Sequence, residues 1–226
     1  ENIPSVRGAS QAYGLSFTPG TWVESIQITK GAGSVVNGYE SISGQINTEL
    51  IKPIYDIPFF LNAYGSTDSR FELNTHFNKP LSDKWSSSLF LHGNTRTAKM
   101  DNNRDGFLDN PLGYQVNGML RARYFGQNGW EGLYTFHALE DVKQGGQMAN
   151  AFAPGIGADQ LWTSQIKQGR LAFTAKTGWV NPDLPDQSFG SIVQVYSHEL
   201  GVQMGLPKGT APSSLYSQLR GIQNGG

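Results

Sequence analysis

The sequence contains no cysteine, so disulfides and thiolate metal sites are excluded. Charge is scarce as well. Lys, Arg, Asp and Glu make up 15% of the 226 residues, well below the ~25% of an ordinary soluble domain. The balance is 17 basic against 18 acidic side chains, so the basic excess of a nucleic-acid binder is absent. No apolar run approaches the ~18 residues of a membrane-spanning helix, and long stretches with a 3.6-residue period are absent too. Neither absence speaks against membrane-spanning strands, whose alternation hides them from hydropathy plots. The chain opens at Glu1 with no initiating Met and no basic-plus-apolar leader, which reads as a processed chain or a piece of a longer one.

What is abundant is glycine, at 28 residues, and aromatics, at 12%, in a chain of mean hydropathy −0.39. The dominant period is two. Phe71, Leu73, Thr75 and Phe77 alternate with Glu72, Asn74, His76 and Asn78. Val116, Gly118, Leu120, Ala122 and Tyr124 alternate with Gln115, Asn117, Met119, Arg121 and Arg123. Segments at 59–64, 85–92 and 170–179 repeat the pattern, with weaker versions at 130–140, 188–199 and 213–223. That gives about eight strands after residue 57, each about ten residues long, the length a tilted strand needs to cross a bilayer. A soluble sandwich uses strands nearer five or six residues.

The connections alternate in length. Short turns fall at "LSDK" (81–84), "QNG" (127–129) and "NPDLPDQ" (181–187), and longer loops at 100–113 and 142–168. Trp85, Tyr124, Phe125, Trp130, Trp179 and Phe189 flank the short turns, as an interfacial aromatic girdle would. The alternation predicts an all-β, antiparallel barrel. Residues 1–52 differ: short strand-like pieces are broken by Gly and Pro, and the Pro-containing "LIKPIYDIP" (50–58) is a connector.

The glycine-rich stretch "VESIQITKGAGSVVNGYESISGQIN" (23–47) is not a phosphate loop. No Gly-Lys-Ser/Thr follows Gly31, and Val36 stands where a dinucleotide fingerprint needs its third glycine. Val23, Glu24, Ile26, Ile28, Lys30, Gly31, Ser34, Gly38, Gly44, Ile46 and Asn47 keep a spacing over about 25 residues that resembles the C-terminal half of the plug of TonB-dependent outer-membrane receptors. Ala32, Asn37 and Ser43 depart from the usual Pro, Tyr and Gly.

The resemblance implies a plug portion at 1–52 and the N-terminal portion of a transmembrane β-barrel at 53–226. These would be the first ~8 strands of a presumed 22-stranded barrel, since ~8 strands alone leave no room for a plug. It implies an importer of a scarce ligand (a metal chelate, vitamin, oligosaccharide or peptide) in the outer membrane of a Gram-negative-type cell. It implies no enzyme activity and no required cofactor. Partners would be TonB, through a segment outside this chain, and outer-membrane lipid. The alternative is a structural or assembly subunit, with other outer-membrane or surface-lipoprotein subunits as neighbours. Cargo contacts would lie around 10–18, 32–37, 100–113 and 142–168. In the plug, Ile26 and Ile28 are expected to point into a small core, and Glu24 and Lys30 to meet the polar barrel wall.

"DNNRDGFLD" (101–109) reads as half of a calcium loop. Asp101, Asn103, Asp105 and Asp109 offer hard oxygens around Gly106, but Leu112 stands where the closing Glu belongs. His76 and His92 fall on the polar phase of their strands, with His137 and His198 on two more, and none has HxH or HExxH spacing. Arg96, Arg121, Arg123, Arg170 and Lys176 share the polar phase with few acids, which predicts ion pairs to the plug or, in the alternative, attraction of anionic cargo. No G-x-S-x-G elbow is present, which agrees with the absence of a catalytic reading.

Overall fold

The computed structural model describes residues 13–32, 42–52, 56–148, 161–205 and, as backbone, 217–225. The chain is all-β with antiparallel pairing. Two 3₁₀ turns, Gly14–Phe17 and Gly20–Trp22, precede a hairpin of β1 (Val23–Lys30) and β2 (Gly44–Leu50). Two motif glycines have backbone reasons to be glycine. Gly31 sits at φ +87°, and a Cβ on Gly44 would stand 2.9 Å from the Thr29 carbonyl oxygen. Ser34, Gly38 and Asn37 lie outside the described residues.

Eight strands then form one up-and-down sheet: β3 (Phe59–Gly65), β4 (Arg70–Pro80), β5 (Trp85–Arg96), β6 (Leu112–Phe125), β7 (Trp130–Gly146), β8 (Thr163–Val180), β9 (Ser188–Gly205) and β10 (Ser217–Gly225). Each pairs with its sequence neighbour, and among the described residues β3 and β10 have no second neighbour. One end of the sheet carries the connections 81–84, 126–129 and 181–187. The other carries the tight turn 66–69 and the 97–111 loop.

The strands are longer than their alternating cores. β7 and β8 stay paired from Trp130↔Trp179 to Gly146↔Thr163, so much of 142–168 is sheet rather than loop. Leu112 and Gly113, at the edge of the expected 100–113 loop, already belong to β6. The backbone ladder continues past the point where apolar residues stop marking it, because the hydrogen bonds do not depend on side-chain polarity.

The sheet is inverted relative to a water-soluble one. On β6 the buried positions are Gln115, Asn117, Met119 and Arg121, while Val116 and Leu120 are exposed, Leu120 at 47%. On β8 the buried Gln168, Arg170 and Thr174 interleave with the exposed Leu171 and Phe173. The same holds for β4 and β5, where Asn74, His76, Asn78, Ser88 and His92 are buried and Phe71, Leu73, Leu89 and Leu91 are exposed. A sheet that buries its amides and exposes its leucines contradicts the hydrophobic effect in water. The polar face is where the N-terminal segment packs.

Aromatic residues gather on the exposed face at the short-turn end. Trp85 lies opposite Tyr124 with ring centroids 5.1 Å apart and stacks on Tyr134 at 5.9 Å. Trp130 faces Trp179 at 6.5 Å, and Trp179 is paired with Phe189. A continuous aromatic row therefore crosses β5 to β9. Phe125 does not belong to it. By alternation it shares the phase of Arg121 and Arg123, and the Arg123 guanidinium lies over its ring.

Candidate functional site: a polar wall clasping the N-terminal segment

The contact between segment 13–52 and the sheet is built from backbone carbonyls on one side and amide side chains on the other. Pro19 and the two 3₁₀ turns leave Ser16 and Phe17 carbonyl oxygens outside any ladder. Gln115 Nε2 donates to Ser16 O at 3.1 Å, and Asn117 Nδ2 donates to Phe17 O at 2.7 Å. Arg121, 1% exposed, donates through Nη1 to Ile51 O at 3.1 Å. Buried carbonyls need such partners, and a strand face of Gln, Asn and Arg supplies them at every second residue.

Trp22 fills the centre of the contact. It is 1% exposed and packs with Leu50, Phe90 and Met119, with Val23 and Ile51 at the margin. Its ring lies 5.6 Å from Phe90 and 6.3 Å, edge-on, from His137. Ile51 N–H donates to Trp22 O, so the two ends of the hairpin are tied at this point. Burying a tryptophan this completely contributes on the order of 3–5 kcal/mol against truncation. Phe17 makes a second anchor, edge-on to the fully buried His198 at 5.6 Å and under the Arg170 guanidinium at 5.9 Å. Arg170 also lies over Tyr196, at 4.6 Å.

The wall behind these anchors carries three hydrogen-bonded clusters. His92 Nδ1 donates to Asn74 Oδ1 at 2.6 Å, Asn94 Nδ2 donates to His92 Nε2 at 2.9 Å, and Asn94 also reaches Gln115 at 3.3 Å. His137 Nε2 donates to Asn117 Oδ1 at 2.7 Å. At the connector, Asp56 Oδ2 accepts from His76 Nε2 at 2.5 Å and from Asn78 Nδ2 at 2.8 Å. The four histidines are thus on the buried face. Among the described residues no three His or carboxylate groups gather as a metal site would require.

The hairpin departs from two expectations. Ile26 and Ile28 share a face with Ile46, but that face is open, with Ile28 68% exposed. The core contact lies at the base of the hairpin, at Trp22, Val23, Leu50 and Ile51. Glu24 does not meet the wall either. It faces Lys52 at 3.7 Å within its own segment, and Lys30 is exposed. Val23, half-buried, is the motif residue that touches the core. Asn47 donates to Gln27 and Glu49 across and along the hairpin.

Among the described residues the wall arginines make contacts of three kinds. Arg96 pairs with Asp68 at 2.7 Å and Arg123 approaches Glu131 at 3.9 Å, both within the sheet and its turns. Arg121 meets a carbonyl and Arg170 meets rings.

The 101–109 loop closes on itself. Asp101 accepts the amides of Asp105 and Gly106, Asp105 accepts that of Phe107, and Asp109 Oδ2 accepts the Asn102 amide at 2.8 Å. Asn103 bridges to Asp105. The loop leans on the next connection through the Phe107↔Gln147 bridge and the Phe107–Trp162 contact at 6.3 Å.

The anchoring residues Phe17, Trp22, Gln115 and Asn117 were not singled out from the sequence. The available signal was the polar phase of β6, which names Gln115, Asn117 and Arg121 as a set; nothing local marks Phe17 or Trp22 as their partners. No family model, curated protein or solved structure matches the chain.

Proposed function

We propose that this chain is the C-terminal part of the plug and the first barrel strands of a TonB-dependent outer-membrane receptor, importing a scarce ligand such as a metal chelate, vitamin, oligosaccharide or peptide. The observation that carries the reading is the inverted sheet, whose polar face clasps Phe17 and Trp22 while its leucines and phenylalanines face outward. Outward apolar side chains are stable where the surroundings are acyl chains.

The dimensions agree with a bilayer. No outward position carries a charge between Trp130 and Glu140 on β7, or between Lys167 and Trp179 on β8. About ten residues at ~3.3 Å rise and ~45° tilt span ~23 Å, close to the ~25 Å apolar band of outer-membrane barrels. The aromatic row then marks the periplasmic interface. At the other boundary Tyr114 donates to Glu140 at 2.8 Å. The long-loop end faces outward from the cell.

Import needs cargo affinity to differ between the resting plug and the plug under tension. Here Trp22, Gln115, Asn117 and Arg121 set the resting state. The core contact of the hairpin lies at its base. The test is uptake by a strain lacking the full-length protein, across metal chelates, vitamins, oligosaccharides and peptides, with and without TonB. Uptake that disappears with either deletion is expected. A protein whose loss alters outer-membrane assembly, but whose function persists without TonB, would instead be an assembly subunit.

A further inference from the structure

A second polar feature lies away from the clasp, at the long-loop end of β3 to β5. Asn62 and Tyr64 of β3, Asp68 of the 66–69 turn, Arg70 and Glu72 of β4, and Arg96 of β5 line a cleft of about 380 Å³. That falls within the ~300–1,000 Å³ of small-molecule sites. None of its lining residues belongs to segment 13–52. By strand alternation the β3 and β4 residues share the polar phase with Asn74 and His76, so in the receptor reading the cleft opens into the lumen on its outer side.

The charges are arranged as two short pairs. Arg70 Nη2 lies 2.7 Å from Glu72 Oε2, and Arg96 Nη2 lies 2.7 Å from Asp68 Oδ2. Arg70 and Arg96 are also register partners on adjacent strands, so the two cations stand side by side between the two carboxylates. Each guanidinium has five donors and each carboxylate about four acceptor positions, so pairing leaves capacity on both. The Nε of each arginine has no partner among the described residues. Among the described residues the lining is neutral, two cations against two anions, which gives no net attraction for a multiply charged anion or a bare cation. Among them Tyr64 is the one aromatic ring, too little for the stacking platform a flat apolar ligand would use.

We propose that this cleft binds a zwitterionic solute of roughly dipeptide size. The carboxylate is held by Arg70 and Arg96, and the ammonium by Asp68 and Glu72. The proposal rests on the receptor reading for its place in the lumen, but its binding chemistry does not depend on TonB.

The test uses the full-length protein in detergent micelles, with L-alanyl-L-alanine as the probe and titration calorimetry as the readout. N-acetyl-alanyl-alanine and alanyl-alanine amide each remove one charge. The expected result is saturable binding of the free dipeptide, with each blocked form weaker by at least about tenfold. Arg96→Gln should lose the carboxylate preference. Asn62→Phe, which fills the cleft and leaves both ion pairs, should lose binding altogether and guards against misfolding of the charge variant. Equal binding of the blocked forms, unchanged binding by Asn62→Phe, or no binding at tens of millimolar overturns the proposal. Dipeptide binding without any TonB-dependent uptake would leave the cleft standing and remove the import reading. The reverse pattern removes the cleft alone.

Discussion

Asn117 on β6 donates to the carbonyl oxygen of Phe17 at 2.7 Å while accepting from His137 at 2.7 Å, so one buried amide joins the N-terminal segment to two wall strands. Asn117→Ala leaves a buried carbonyl and a buried imidazole without their partner. The expected cost is ~1–3 kcal/mol. It should appear as faster amide hydrogen exchange over residues 13–22, with β6 and β7 protection retained.

Trp22 separates packing from polarity. Its ring is buried, but its indole Nε1 has no hydrogen-bond partner among the described residues. Trp22→Ala should destabilise the docked segment by ~3–5 kcal/mol. Trp22→Phe keeps most of the contact and removes an unsatisfied donor, so it should be far milder than the alanine change. Denaturant unfolding of the two variants, side by side, checks the ordering.

Leu120 distinguishes lipid from water on the outer face. In a soluble protein an exposed Leu→Arg change is worth within ~0.5 kcal/mol. In a bilayer, Leu120→Arg near the middle of β6 should cost ~2–4 kcal/mol. Refolding equilibria into phospholipid vesicles give the value directly.

The 66–69 turn should respond to acid. The Ser66 hydroxyl is the main influence lowering the Asp68 carboxyl below its ordinary value of 3.8; slight desolvation opposes it, and Arg96 adds to it. A lowered folded value means the contribution is fully present above pH ~4 and is lost as pH falls through the folded pKa. Ser69 Oγ accepts the Ala98 amide at 2.5 Å, tying this turn to the 97–111 loop. Protection at Ala98, its exchange rate relative to an unstructured amide at the same pH, should therefore fall below pH ~4 in the parent, and Asp68→Asn should flatten that dependence.

The strands and their turns were legible because alternation and Gly/Pro/Asn punctuation act locally. The 81–84 and 181–187 connections stand where the sequence places them. The tight turn at 66–69 was not read, since "STDS" lacks Gly and Pro and Ser69 adopts φ +60° unaided by glycine. The clasp was only half legible. The polar phase of β6 marks a wall for something polar, but Phe17 lies a hundred residues away, and that pairing is a property of the fold. The hairpin residues Ile26 and Ile28 misled for a related reason: two aligned isoleucines look like core, yet the buried contact is made by Trp22 beside them.

The most direct test of the account is single-cysteine scanning of residues 115–124, a stretch with no native cysteine, in the full-length protein in outer membranes. A spin label at each position reports collisions with oxygen, which concentrates in lipid, and with a water-soluble nickel chelate. The account predicts high oxygen and low nickel accessibility at Val116, Gly118, Leu120 and Ala122, and low accessibility to both at Asn117, Met119 and Arg121. Nickel-accessible labels at Val116 and Leu120 would place that face in water and contradict the membrane reading.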